Sequence, residues 1–183
     1  MIKASTTFRR KSLSLIGGVV SIWLGSQAQV HGQPAGCSLI PDDKNPSEKI
    51  LRCGDNLTIR NAPDTRYELT GHDDEQQKIG EVRLDSGALL IEFSSSDRQK
   101  QFQILTPHAI AAVRGTKWAV EVVPERTSTL VISGTVEVKR PARRRGVLLR
   151  AGEGTDVSAR GGRLIVKHWA KKRVDALLAR FGQ

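Results

Sequence analysis

Lys139, Arg140, Arg143, Arg144, Arg145 and Arg150 fall close together in the sequence, the densest group of side chains with a chemistry of its own. Guanidinium forks at that density suit phosphate groups, which they hold by charge-assisted hydrogen bonds. The same cluster can instead be a solvated loop that keeps a sheet edge from pairing with another chain. A second basic group, Lys167, Lys171, Lys172 and Arg173, could lie on an anionic membrane surface or dock a partner. Packing of the apolar face beside it against the rest of the molecule is the plainer alternative, and the one we favour. Residues 139–183 hold 13 basic and 3 acidic residues, whereas residues 29–138 hold 12 basic and 16 acidic. Such segregated charge points to an anionic lipid or polysaccharide as one ligand class. Nucleic acid is disfavoured, because eight aromatic residues (3 Trp, 1 Tyr, 4 Phe) leave little for base stacking.

Catalytic chemistry is harder to assemble. The four histidines, His31, His72, His108 and His168, are scattered, and none stands at a zinc-ligand spacing from another. No metal site and no cofactor is expected. There is no glycine-flanked nucleophilic serine and no phosphate-cradling glycine loop. His72-Asp73-Asp74-Glu75 is the best acid–base or metal-binding cluster, yet after Gly71 it reads as a solvated turn. A non-catalytic protein is the expectation.

The first 28 residues carry Lys3, Arg9, Arg10 and Lys11, no acidic residue, and an apolar run from Leu13 to Leu24. That run is shorter than the roughly 20 residues a bilayer core requires, so it reads as a signal peptide cut near Ala28. The expected location is periplasmic or secreted. In an oxidising compartment Cys37 and Cys53 are most simply a disulfide. Closing a loop of about 15 residues contributes about 3 kcal/mol. The rival reading is lipidation at Cys37, after Ala35-Gly36.

These residues need elements to position them. Residues 29–53, rich in Pro, Asp, Lys and Ser, read as an irregular segment tied down by the disulfide. From 54 to 166, short apolar runs alternate with turn signals: Asn61-Ala62-Pro63-Asp64, Asp85-Ser86-Gly87, Ser94 to Asp97, Arg114-Gly115, Ser133-Gly134, Gly152-Glu153-Gly154 and Gly161-Gly162. That pattern predicts an all-β domain. Trp118, Val120 and Val122 share one face of a strand, as do Val136 and Val138, while Ala88 to Phe93 is apolar on both faces and predicts a central strand. Phe102 and Ile104 make a weaker strand, and Leu164 to Val166 is expected to be the last. Gly115, Gly134 and Gly152 recur at spacings of 19 and 18. The repeat fits either stacked solenoid-like layers or successive hairpins of a short-strand sandwich. Val166, Ala170, Val174, Leu177, Leu178 and Phe181 then fall at helical spacing, predicting one basic amphipathic C-terminal helix over 167–183.

Thr106-Pro107, Val113-Arg114-Gly115-Thr116, Gly134-Thr135-Val136, Leu148-Leu149 and Ala151-Gly152-Glu153 stand in an order and spacing that resembles the FecR family. The likeness covers about half of the chain after the leader. FecR-like proteins are periplasmic β domains that relay a signal, often from an outer-membrane siderophore receptor to a sigma factor. The resemblance therefore implies a module without catalysis that binds a protein of the envelope. Family regulators carry an anti-sigma segment and a membrane helix before the domain. Here the signal-like leader takes that position, so the resemblance leaves direct control of a sigma factor open. Within the motif, Gly115 is expected to turn the chain. Arg114 either reaches a partner's carboxylate or bonds the carbonyls of neighbouring turns. Trp118 is expected in the core rather than at a contact. Val113, Arg114, Gly115, Thr116 and Trp118 are the partner-binding candidates, and Arg140, Arg143, Arg144, Arg145 and Arg150 the anion-binding ones.

Overall fold

The computed structural model describes residues 36–42, 49–73, 78–94 and 102–183, so the expected leader and its cleavage point lie outside the described residues. Strands dominate because the apolar residues recur with period two and are heavily β-branched. One layer runs in the order β1 (Cys37–Pro41), β2 (Lys49–Cys53), β3 (Leu57–Asn61), β5 (Lys78–Phe93), β8 (Thr116–Val123), β9 (Arg126–Ser133), β12 (Glu153–Ser158) and β13 (Lys167–His168). The other runs β4 (Arg66–Asp73), β5, β6 (Phe102–Leu105), β7 (Ile110–Val113), β10 (Thr135–Lys139) and β11 (Val147–Arg150). All pairs are antiparallel except β5 with β6.

The long strand β5 belongs to both layers. Its first half pairs with β4 and β6, and its second half with β3 and β8. Asp85-Ser86-Gly87, expected to be a turn, is instead the bend where β5 passes between layers. Gly87 has φ +90°, and a Cβ there would stand 2.6 Å from the Thr65 Cα, so only glycine fits. The Thr65 hydroxyl closes the gap, meeting both the Ala88 N–H and the Ala88 carbonyl at 3.1 Å.

The glycine repeat has the same meaning. Gly115 lies between β7 and β8, Gly134 between β9 and β10, and Gly152 between β11 and β12, and all three have positive φ. Each marks a crossing from one layer to the other. Hairpins are thus laid alternately in two layers, which makes the domain a sandwich.

Between the layers, Ile59, Leu89, Ile91, Trp118, Val120, Val131 and Val157 face Val82, Leu84, Phe102, Ile104, Val136, Val138 and Leu149 in one core. Phe102 stacks on Phe93 and meets Trp118 edge-on, with centroids 5.2 and 5.9 Å away. The alternate residues of the first layer, Ala62, Ala88, Leu90, Ala119 and Leu130, form a second core under Trp169, Leu177 and Phe181. The stretch Ala88–Ile91 of the apolar run Ala88–Phe93 therefore is a central strand buried on both sides.

Three expectations change. Residues 29–53 are not irregular throughout, because β1 and β2 form a hairpin with Cys37 directly opposite Cys53. Those cysteines form the disulfide, so the Cys37 thiol is not available for lipidation. Leu164–Val166 is not a strand, the last strand being β13. The terminal helix α1 spans only Lys171–Leu178, followed by a 3-10 turn at Ala179–Phe181. Val166, counted in its apolar stripe, packs instead against the core between the layers. Helix formation is deferred because Trp169 is pressed onto the sheet at Gly154, where a Cβ would meet the indole Nε1 at under 2.5 Å.

Candidate functional site

The rim of the sandwich at Arg114-Gly115 collects most of the motif residues. The adjacent crossing at Gly134 approaches so closely that a Cβ there would lie 2.6 Å from the Gly115 carbonyl oxygen. The Thr116 hydroxyl donates to the Thr135 carbonyl at 3.0 Å, joining the two crossings. Val113 and Thr116 are buried, and Trp118 is wholly enclosed, so none of these three side chains is placed to meet a partner. Arg114 is exposed and makes no hydrogen bond or ion pair among the described residues. The alternative in which it bonds neighbouring carbonyls is thereby set aside.

Two shallow clefts flank this rim. One, of about 240 Å³, is lined by Ala112, Arg114, Thr135, Glu137 and Leu148. The other, of about 370 Å³, is lined by Asp55, Asn56, Thr58, Glu92 and Lys117 among others. Leu148 is 54% exposed, and Lys117 is held by Glu92 at 2.7 Å. Leu148 thus stands on an open surface beside Arg114 and Glu137.

At the end of β7 away from the rim, sequence reasoning missed a buried polar cluster. The Thr106 hydroxyl receives the Ala109 N–H at 2.9 Å and meets the Thr127 hydroxyl at 2.9 Å, with His108 Nδ1 3.2 Å from Thr127. This cluster holds the entry into β7 against β9 and explains the Thr106-Pro107 element of the motif as structural. Thr127 carried no sequence signal, because a threonine in a strand is usually unremarkable.

The arginine loop divides into three. Arg140 donates to the Ser158 carbonyl at 2.8 Å and to the Gly162 carbonyl at 3.2 and 3.3 Å. It therefore performs the loop-clasping role considered for Arg114. Arg143 and Arg145 line a groove of about 360 Å³ with Arg140 and Arg163. Arg163 was overlooked because it lies in a different loop. Arg144 is exposed outside the groove, and Arg150, opposite Thr135, sits at the rim end of β11, where its backbone N–H donates to Glu153.

Part of the basic face of the C-terminal segment, Arg173 above all, is engaged internally. Arg173 donates to both oxygens of Asp156 and lies 3.4 Å above the Trp169 ring. Burial by itself would raise the Asp156 carboxyl, but the hydrogen bonds from Arg173 and Ser128, with the charges of Arg173 and Arg126, outweigh it and hold the carboxyl below its ordinary range. Arg180 pairs with Glu121, and Lys171 with Asp175. His72 and Asp73 end β4, while Asp74 and Glu75 lie outside the described residues. No group of three or more His, Cys, Asp or Glu side chains among the described residues is placed to hold a metal ion.

The model of the FecR protein family matches residues 44–137, just over half of the chain. The chain belongs to the FecR family. The match takes in β2 to β9 and the start of β10, so the family domain begins before residue 54, the boundary expected from composition, and ends short of the arginine groove. Two crystal structures of a candidate anti-sigma factor from Parabacteroides distasonis share the fold. Their TM-scores are 0.53 and 0.52 at 18% and 19% identity, over 78% of this chain. The chain spans 60% of the length of those structures. No curated protein matches it significantly.

Proposed function

We propose that this FecR-family chain is an exported, non-catalytic envelope module that binds a protein partner at the Arg114–Gly115 rim and takes part in envelope signalling. The observation that carries the reading is Arg114, an exposed guanidinium without a partner among the described residues, held on a crossing locked by Gly134 and Thr116. A cation that stabilises nothing inside the molecule, on a rigid scaffold beside exposed Leu148, is what an interface anchor requires. Further support comes from the basic leader with its short apolar run, from the disulfide, and from the family itself. Among the described residues no helix is long and apolar enough to cross a membrane.

Photo-crosslinking in living cells tests this. A crosslinking residue replacing Arg114 or Leu148 should give a reproducible protein adduct in envelope fractions, and one replacing Arg160, outside the rim, should not. The same adducts from all three positions, or none from the first two, would overturn the assignment.

A further inference from the structure

We propose that the groove between the β10–β11 loop and the 159–165 loop is a binding site for phosphoryl groups. It lies beyond the residues shared with the family and is independent of the rim, so the two readings stand or fall separately.

The walls of the groove are preset. Arg140 clasps the two loops through the Ser158 and Gly162 carbonyls. The Arg143 N–H closes a turn onto the Arg140 carbonyl at 3.0 Å. At Gly146 a Cβ would stand 2.5 Å from the Val138 carbonyl oxygen, so the loop folds hard against β10. Arg143, Arg145 and Arg163 are then held on one concavity with Arg140.

Its charge is uncompensated. No carboxylate lines the groove, and Arg143, Arg145 and Arg163 have no side-chain hydrogen bond or ion pair among the described residues. Four arginines elsewhere are matched by carboxylates: Arg60 by Asp42 and Glu92, Arg126 and Arg173 by Asp156, and Arg180 by Glu121. Converging cations repel one another, and Arg140 alone suffices to clasp the loops, so stability does not account for the other three.

The occupant follows from geometry. A carboxylate offers two acceptor oxygens and one negative charge, whereas a phosphoryl group offers three acceptor oxygens and up to two negative charges to several forks. At about 360 Å³ the groove is on the scale of a small-ligand cleft. Among the described residues no aromatic side chain lines it, which argues against stacked nucleobases. Phosphoryl groups of this kind occur on free phosphate compounds and on phosphorylated lipid headgroups.

Calorimetry on the whole chain with inorganic pyrophosphate, and co-sedimentation with phosphatidylcholine vesicles containing lipid A, test the site and its source together. Two triple variants remove equal charge: Arg143→Ser, Arg145→Ser, Arg163→Ser in the groove, and Arg144→Ser, Arg160→Ser, Lys172→Ser outside it. All six residues are exposed, so both variants should fold. The groove variant should weaken binding by about tenfold or more and the outer one by less than about twofold. Binding of pyrophosphate alone would assign a soluble ligand, and of the vesicles alone a lipid headgroup. Binding of neither by the unaltered chain, or equal weakening by both variants, would overturn the proposal.

Discussion

Arg173 of α1 lies over Trp169 and grips Asp156, while Arg143 and Arg145 of the β10–β11 loop touch no carboxylate among the described residues. Both come from basic stretches of similar appearance, yet in the helix the charge fastens an element to the sheet and in the loop it is left for something else. The neighbours make the difference. β12 brings Asp156 and Ser128 of β9 under the helix, whereas the loops at the other end of β12 offer only backbone carbonyls, and these are taken by Arg140. A run of positive charge is therefore no guide to a binding surface until its internal partners are known.

The contrast can be broken most forcefully at the helix. Phe181 is 2% exposed in the second core. Phe181→Ala should cost about 3 kcal/mol, read as a fall in the urea midpoint, by loss of buried area and creation of a cavity. An unchanged midpoint would mean that α1 is not a working part of the domain. Arg173→Ser should cost about 2 kcal/mol, since it removes the bidentate contact with Asp156 and the cation over Trp169 in a partly solvated place.

That pair also sets a pH dependence. The folded carboxyl of Asp156 is depressed, so its stabilisation is present above the ordinary value of 3.8 and is lost as pH falls from there through the folded value. Arg173→Ser should flatten the acid limb of the stability profile, and an unchanged limb would show that the pairing is not formed in solution. Arg140→Ala should cost about 1 kcal/mol globally, and should speed amide exchange in the 141–146 and 159–165 loops that it clasps. Last, Arg143→Ser with Arg145→Ser should move stability by no more than about 0.5 kcal/mol, because these side chains hold nothing inside the molecule. A large loss there would erase the distinction between loop and helix.

Much of the architecture was legible. The alternation in Trp118–Val122 and Val136–Val138 pointed to the core face, and the doubly apolar Ala88–Phe93 to a strand covered on both sides, since period two follows from the pleat alone. Asp85-Ser86-Gly87 misled because a glycine that bends one strand between layers and a glycine that ends a strand look alike in sequence. β1 and β2 were hidden among Pro, Asp and Lys, where the disulfide and pairing with β3 outweigh weak propensity. Among the site residues, Gly115 and its turn were readable, but the partners of Arg114 and Arg140 were not.

By itself the sequence determined an all-β chain with a C-terminal apolar stripe, a disulfide pair and a segregated positive charge, because periodicity, cysteine count and composition are local properties. The tertiary structure decided that Gly87, Gly115, Gly134 and Gly152 are layer crossings. It also decided that Arg140 is a clasp, that Arg114 is exposed at the rim, and that Arg163 joins a groove with residues of another loop. Those outcomes depend on which backbone carbonyls and carboxylates the alternating hairpins bring within hydrogen-bonding reach, and that is set by register across the two layers rather than by spacing along the chain.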